Sequence, residues 1–267
     1  MRIHVLSENT TCRADLEAEH GLSLLIESGG RGILFDTGAS AAFARNAERM
    51  GLSLSAVDVA VLSHGHYDHG GGIERFFQLN KRAALWVSPH AFDPHFNAAG
   101  KDIGLSPALA GHARLRRPAQ DVTNLAPGVQ LHRAAAMPAP YPAEGAGMTA
   151  VVDGERVADD FRHEQYLLLQ EGGLRVLISG CSHRGVLNIA THFRPDVLVG
   201  GFHFMKVDPE MESDRLRAAA NTLLELPTRY YTGHCTGAGA CSVLKPLLGE
   251  RLSTFATGHI IELTSNA

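Results

Sequence analysis

The sequence lacks the features that mark a membrane or exported protein. No window approaches the roughly 18 consecutive apolar residues of a membrane-spanning helix, and the first residues contain no apolar stretch resembling a secretory signal. The four cysteines, at positions 12, 181, 235 and 241, form no CxxC pair. We therefore expect free thiols, a cytoplasmic location and no membrane partner.

Basic charge is also scarce. Lys and Arg number 24 against 28 for Asp and Glu, a formal net charge of −4, and the longest basic cluster is Arg114, Arg116 and Arg117. Proteins that track phosphate backbones carry a basic stripe, so no nucleic-acid partner is expected. The composition favours a small-molecule substrate and leaves a homo-oligomer open. Histidine, in contrast, is abundant at 15 residues, and it is the commonest metal ligand.

Apolar, strand-like runs alternate with helical patterns, and both halves of the chain show this alternation. The pattern favours an α/β fold with two sheets covered by helices. With 267 residues, 45% of them hydrophobic, we expect one domain over residues 1–267. The pattern predicts strands at 22–27, 32–36, 57–62, 83–88, 166–170, 174–179, 197–201 and 229–232, helices at 40–50, 73–79, 186–193 and 213–226, and a closing helix and hairpin around Gly258.

The segment from about residue 91 to 146 breaks this rhythm. It contains seven of the 12 prolines and few periodic apolar positions. Long segments with little regular structure are usually functional lids or disordered. We expect a Pro-rich irregular insertion that shapes the entrance of a pocket.

Three predicted strands run into small-residue turns that carry histidine, namely His64, His183 and His234. Strand ends in α/β folds are where ligand sites gather, so these turns are expected to converge. Other histidines have no such setting. We expect solvated side chains at His4, His112, His132 and His192.

The turn after the strand at 57–62 carries the densest set of ligand-type residues. His64, His66, Asp68 and His69 lie within six positions and precede three glycines. Alternate residues of a tight loop can point the same way, so His64 and His66 are expected to bind one ion, with Asp68 and His69 facing a second position. Catalytic zinc takes about three protein ligands plus water, so the remaining ligands must come from other loops.

The run His64-Gly65-His66-Tyr67-Asp68-His69 matches the HxHxDH signature, and the chain resembles the metallo-β-lactamase superfamily. It is similar in particular to the dihydropterin-synthase-like, or ribofuranosylaminobenzene 5′-phosphate synthase-like, subgroup. The resemblance implies an αββα sandwich of two mixed β-sheets flanked by helices. The further segments that carry it are Glu19-His20-Gly21-Leu22-Ser23, Phe35-Asp36-Thr37-Gly38, Gly180-Cys181-Ser182-His183 and Thr232-Gly233-His234-Cys235-Thr236-Gly237.

The resemblance implies a site for two divalent metal ions at one edge of the sandwich, with zinc favoured over manganese or iron. The ligand sets it implies are His64, His66 and His183 for one ion, and Asp68, His69 and His234 for the other. The chain departs from the family in one respect. Many members carry a metal-bridging Asp where this chain has Gly180-Cys181-Ser182-His183, which contains no carboxylate.

The thiols next to these turns, Cys181 and Cys235, are open to two interpretations. A thiolate binds metal, but the neighbouring histidines already satisfy the ligand count. We expect both to be small packed thiols, with Cys181 the first replacement ligand to examine if a histidine fails.

The function implied is that of a metallo-hydrolase in which a metal-bound hydroxide attacks a small-molecule ester, thioester, lactone or phosphoester. Asp68 is the candidate catalytic residue, because a carboxylate there can ligate a metal and handle a proton. Asp36 is expected to support a ligand histidine, and His20 and His203 to contact substrate. The alternatives are a mononuclear iron oxygenase-type enzyme and a non-catalytic metal-binding sensor protein.

Overall fold

The computed structural model of the chain describes residues 1–264. Its strands are β1 (Arg2–Ser7), β2 (Ser23–Ser28), β3 (Arg31–Phe35), β4 (Val59–Val61), β5 (Leu85–Trp86), β6 (His95–Phe96), β7 (Leu115–Arg116), β8 (Val122–Ala126), β9 (Val129–Arg133), β10 (Thr149–Val152), β11 (Glu155–Ala158), β12 (Gln165–Glu171), β13 (Leu174–Ile178), β14 (Val197–Val199), β15 (Arg229–Thr232), β16 (Leu252–Thr254) and β17 (Ile260–Glu262). Its α-helices are α1 (Ala42–Arg49), α2 (Tyr67–Gly70), α3 (Ile73–Leu79), α4 (Val186–Phe193), α5 (Ser213–Leu224) and α6 (Ala238–Leu248). Among these residues, none of the helices combines the length and apolar character needed to cross a bilayer.

Two seven-stranded sheets form the centre of the molecule and repeat one pattern. The first has the order β17-β1-β2-β3-β4-β5-β7, and the second has the order β16-β15-β14-β13-β12-β9-β8. In the first sheet the three pairings from β17 to β3 are antiparallel and the three from β3 to β7 are parallel. The second sheet has three antiparallel pairings from β8 to β13 and three parallel ones from β13 to β16.

Alternation along the strands lets each sheet bury both of its faces. In β13, Val176 and Ile178 belong to the core between the sheets, whereas Leu177 packs in the core beneath α4, α5 and α6. In β3, Phe35 faces the other sheet and Leu34 faces α1 and α3. Successive strand residues point to opposite faces, so one apolar run serves two layers. The result is an αββα sandwich, which confirms the predicted fold class.

The Pro-rich segment differs in part from its prediction as irregular. β8 and β9 form an antiparallel hairpin that extends the second sheet, and β7 extends the first. The hairpin pairs because its apolar positions alternate: Val129 and Leu131 are buried between the sheets, while the intervening Gln130 is not. Proline lies in the flanking turns, where a missing N–H is tolerated.

The hairpin predicted around Gly258 is wrong. β16 pairs in parallel with β15 in the second sheet, whereas β17 pairs with β1 in the first. Gly258 lies in the crossing between the two sheets, with a positive φ of 94°, and its N–H donates to the carbonyl of Val5. Gly258 does form a turn, but the strands on either side of it pair with strands that are distant in sequence.

A buried leucine of β12 tests the core between the sheets. Leu167 is fully buried, so Leu167→Ala should leave a cavity and lower the free energy of unfolding by about 2–5 kcal/mol, measured by urea denaturation. The matched control is Leu224→Ala on α5, where the side chain is 39% exposed. It should change stability by less than about 1 kcal/mol. Equal losses in the two variants would contradict this core.

Candidate metal centre

The histidine-bearing turns follow the carboxyl ends of strands in both sheets. His64 to His69 follow β4 of the first sheet, and His183 and His234 follow β13 and β15 of the second. β13 and β15 flank β14 in parallel, so their carboxyl ends lie at the same edge of that sheet. The prediction that three separated turns converge describes the structure.

One group of imidazoles comprises His64, His66 and His183. Their candidate donor atoms lie within 4.8 Å of one another, and all three side chains are buried. The Nε2 atoms of His64 and His66, and both ring nitrogens of His183, have no hydrogen-bond partner among residues 1–264. Buried polar atoms are nearly always paired, so three such imidazoles together are suited to bind a ligand through these nitrogens.

The same burial keeps these imidazoles neutral. Burial lowers the pKa of His64, His66 and His183 well below the usual value, and the neighbouring histidines lower it further. Neutral imidazole is the form that binds metal. The group is therefore a set of uncharged donors with free lone pairs.

A second group surrounds the Asp68 carboxylate. Its Oδ2 lies 3.3 Å from His234 Nε2 and 3.9 Å from His69 Nε2, and the two Nε2 atoms are 3.2 Å apart. Burial opposes ionisation of Asp68. The neighbouring imidazoles of His69, His20 and His234 favour the ionised form and outweigh it, so the Asp68 pKa lies well below its usual value.

Asp36 determines the tautomer of two of the histidines. His69 Nδ1–H donates to Asp36 Oδ2 at 2.6 Å, and His64 Nδ1–H donates to Ser63 Oγ at 2.8 Å. The Ser63 hydroxyl donates in turn to Asp36 Oδ2 at 2.7 Å, and the Ser63 N–H donates to Oδ1 at 2.6 Å. With Nδ1 protonated in both rings, the lone pair is on Nε2. The supporting role expected for Asp36 agrees with these contacts.

Asn9 does the same for His234. His234 Nδ1–H donates to Asn9 Oδ1 at 2.9 Å, while Asn9 Nδ2 donates to the His234 carbonyl at 3.1 Å, which identifies the amide oxygen. The neighbouring Glu8 accepts the His234 N–H at 2.7 Å. Sequence reasoning missed both residues, because nothing in the run after β1 marks a contact 225 positions away.

With these tautomers, three hydrogen-bond acceptors face one another. The lone pairs of His69 Nε2 and His234 Nε2 and the Asp68 carboxylate converge within 3.2–3.9 Å. Three acceptors at such distances repel unless a cation or a proton lies among them. The donor set, rich in imidazole with one carboxylate, fits a divalent metal ion.

Cys181 lies between the two groups. Its Sγ is 3.2 Å from His69 Nε2 and within 4.8 Å of donor atoms of both His64 and His69. The packed-thiol interpretation fits Cys235, whose S–H donates to the Cys181 carbonyl at 3.4 Å, whereas the position of Cys181 fits both a packed thiol and a metal ligand. Gly180 permits the approach, because a Cβ there would lie 2.3 Å from Ser63 Oγ.

The two residues expected to contact substrate line the same cavity. His20 Nε2 lies 3.3 Å from Asp68 Oδ2, with 47% of the side chain exposed. The His203 ring lies 4.2 Å from that of His183, and burial together with His234 and Lys206 lowers the pKa of His203 to about 4. The cavity measures about 170 Å³, and its rim includes Lys206.

Backbone strain is concentrated at this site. Seven residues other than glycine have positive φ within the part of the chain described, and five adjoin the cluster. They are Asp36, Phe161, Ser182, His203 and His234. Phe161 belongs here because its ring stacks on that of His183 at 4.8 Å. Such conformations cost about 1–3 kcal/mol each and persist where packing enforces them, commonly at functional sites.

Comparisons with known proteins identify the family and the fold. The family model of the metallo-β-lactamase superfamily matches residues 16–161, more than half of the chain. A crystal structure of a metal-dependent hydrolase of the β-lactamase superfamily superposes with a TM-score of 0.85 at 28% identity, covering 99% of this chain and 100% of the other. Zn²⁺-bound PqqB from Methylobacterium extorquens shares the fold at 13% identity, with a TM-score of 0.59 and coverage of 98% and 100%.

A protein of Methanocaldococcus jannaschii provides the full-length sequence comparison. It is named 7,8-dihydropterin-6-methyl-4-(β-D-ribofuranosyl)-aminobenzene-5′-phosphate synthase, and it is 28% identical over 98% of this chain and 96% of its own length. The subgroup resemblance seen in the motifs therefore extends along the whole chain. Family model, fold and site together show that the chain belongs to the metallo-β-lactamase superfamily.

Proposed function

We propose that the protein is a metal-dependent hydrolase of a small-molecule ester, thioester, lactone or phosphoester. The observation that carries the proposal is the convergence of His69 Nε2, His234 Nε2 and the Asp68 carboxylate within 3.2–3.9 Å of one another. The unpartnered group of His64, His66 and His183 beside them supplies a second set of donors. The similarity to a metal-dependent hydrolase at 28% identity supports the same class.

The donors suit two zinc ions. His64, His66 and His183 would hold one, and Asp68, His69 and His234 the other, with Cys181 within reach of both sets. Imidazole, carboxylate and thiolate are the usual zinc ligands. Bound there, such ions supply Lewis acidity and lower the pKa of water from 15.7 towards about 7.

The protein's own contribution is the placement of protons and charge. Asp68 is ionised and buried, and His20 lies 3.3 Å from its Oδ2 on the solvent side. In this proposal Asp68 Oδ2 accepts a proton during attack and His20 relays it towards solvent. His203 is neutral, because burial lowers its pKa to about 4, so its ring can hydrogen-bond the substrate without carrying charge.

The cavity indicates a small substrate with an anionic group. At about 170 Å³ it accommodates only the reacting part of a metabolite. Its lining includes the exposed Lys206 and the apolar side chains of Ile103, Met148 and Met205. The relative named as a synthase carries a 5′-phosphate in its name, which is consistent with a phosphorylated substrate here.

Three other functions fit the same residues. A synthase reaction is favoured by the name of the full-length relative. The oxygenase-type alternative requires a single iron ion. The sensor alternative requires metal binding without turnover of any substrate. Metal analysis of purified protein separates the oxygenase from the hydrolase, since two zinc or manganese ions favour hydrolysis and a single iron favours oxidative chemistry.

Cobalt substitution tests the place of Cys181. A thiolate ligand gives Co²⁺ an intense charge-transfer band in the near ultraviolet, and metal binding deprotonates the thiol. We expect the band in the wild-type Co²⁺ protein, its loss in Cys181→Ser, and its retention in the matched control Cys235→Ser. A band that survives in Cys181→Ser would exclude this ligand, and one lost only in Cys235→Ser would assign the neighbouring thiol.

Asp68→Asn tests the hydrolytic proposal. The zinc-loaded protein is assayed on a panel of thioesters, lactones, cyclic phosphodiesters and phosphomonoesters. On whichever substrate the wild type hydrolyses, Asp68→Asn should lower kcat by about a hundredfold or more, because the amide neither accepts the proton nor carries charge. The control is Asp58→Asn on the surface beside Arg82, which should leave kcat unchanged. An unaltered kcat in Asp68→Asn would refute the role.

A further inference from the structure

Three consecutive residues at the entry to β12 contact different parts of the backbone around the metal centre: His163 and Glu164 precede the strand, and Gln165 is its first residue. His163 and Gln165 contact the loop that follows β4, and Glu164 contacts the loop that follows β13. These two loops belong to different sheets. We refer to the three residues as the 163–165 clamp.

His163 binds the loop between two candidate ligands. Its Nδ1 accepts the N–H of Gly65 at 2.9 Å, and the side chain is fully buried. Gly65 separates His64 from His66, and a Cβ at this position would lie 2.3 Å from the carbonyl oxygen of Ala91. The loop is therefore confined from both sides at the residue that sets the relative positions of the two imidazoles.

Glu164 binds the loop that carries the third imidazole. Its carboxylate accepts the N–H of His183 at 2.6 Å and that of Arg184 at 3.0 Å, together with the hydroxyl of Tyr166 at 2.8 Å. The side chain is buried, and three donors satisfy it. A buried carboxylate with this number of partners holds its loop in a single position.

Gln165 completes the contact with the first sheet. Its Nε2 donates to the carbonyl of Leu62 at 2.7 Å and to that of Trp86 at 3.0 Å, while its backbone N–H donates to the Ser63 carbonyl at 2.8 Å. These hydrogen bonds join the first residue of β12 to the carboxyl ends of β4 and β5. The distance between the two ligand loops is therefore fixed by contacts with one short segment, residues 163–165.

We propose that the 163–165 clamp positions His64 and His66 relative to His183. It thereby sets the affinity for the metal ion held by these three imidazoles, which we call the first metal ion. The proposal rests on the proposed metal centre and assigns no metal ligand to the clamp. His163 and Glu164 act as positioning residues by accepting hydrogen bonds from backbone N–H groups of the two ligand loops.

His163 is a positioning residue rather than a ligand of a further metal ion. It lies near His66, His95 and Asp159 in a buried group of ligand-type atoms. Because its Nδ1 accepts the Gly65 N–H, its proton is on Nε2, which lies 3.3 Å from Asp159 Oδ2. His95 also faces two acceptors, Asp159 Oδ2 at 3.0 Å and the His90 carbonyl at 3.3 Å. Neither ring offers a free lone pair at the carboxylate.

Two substitutions at position 163 separate hydrogen bonding from packing. His163→Asn places an amide oxygen near the position of Nδ1 and retains an acceptor for Gly65, whereas His163→Phe keeps the aromatic volume and loses the acceptor. Chelator competition with Zn²⁺ measures the affinity for the first ion. We expect His163→Phe to bind at least tenfold more weakly than His163→Asn, within the 10–100-fold range of residues that orient metal ligands. Equal affinities, or tighter binding by His163→Phe, would overturn the proposal.

Glu164→Gln tests the other loop. The isosteric amide presents an NH₂ group to one of the N–H donors, so binding of the first ion should weaken tenfold or more. The matched control, Glu171→Gln at the far end of β12, alters only contacts with Ser28 and the N-terminal ammonium, away from the metal centre, and should bind as the wild type does. Wild-type affinity in Glu164→Gln would overturn the role of the carboxylate.

Two further measurements keep the outcomes distinct. Urea unfolding shows that each variant is folded, and amide exchange of Gly65 in metal-free protein should be faster in His163→Phe than in His163→Asn. A wild type that binds Zn²⁺ but hydrolyses nothing refutes the proposed reaction. The relative Zn²⁺ affinities of His163→Asn and His163→Phe then still test the clamp. A wild type that binds no Zn²⁺ overturns both proposals.

Discussion

One buried carboxylate determines what the centre can bind. Asp36 accepts three hydrogen bonds, two from Ser63 and one from His69, and through Ser63 it also orients His64. Both imidazoles are thereby protonated on Nδ1 and expose Nε2 to the cavity. The raised pKa of His69, in which the charges of Asp36 and Asp68 outweigh burial, indicates a more basic nitrogen and hence a stronger donor. Without this arrangement the same residues would form an ordinary buried polar network.

The fold brings the remaining donors to this point because its two sheets repeat one pattern. Each has parallel strands whose carboxyl ends lie at a common edge, with apolar residues on both faces. The first sheet supplies His64, His66 and His69, and the second supplies His183 and His234. A centre built across two sheets requires contacts between them, and the residues at the entry to β12 provide several.

Local patterns in the sequence were sufficient for part of this account. The helices at 73–79 and 186–193 and the strand at 229–232 have the predicted limits, because periodicity and turn residues report on neighbours. The HxHxDH spacing indicates the candidate loop from His64 to His69, and the strand ends indicate His183 and His234, which the fold brings close to that loop. Asp36 is predicted in the same way, because it too follows a strand.

The contacts that tune the centre could not be predicted in this way. Asn9 meets His234 across 225 positions, and His163 meets Gly65 across 98. Neither belongs to a periodic pattern, and each contributes through its partner's backbone or tautomer. The position of Cys181 between two ligand groups depends on the close approach of the turn after β13 to Ser63. The pairing of β16 and β17 in different sheets is likewise set by distant strands.

The central claim is that these imidazoles are arranged for two metal ions. A crystal structure of zinc-loaded protein, with anomalous scattering recorded on both sides of the zinc edge, tests it most directly. The account predicts two zinc peaks, one bound by Nε2 of His64 and His66 together with His183, the other by Asp68 with Nε2 of His69 and His234, and Cys181 Sγ bound to at least one of them. A structure with a single peak, or with Nδ1 of His64 or His69 facing the metal, would contradict it.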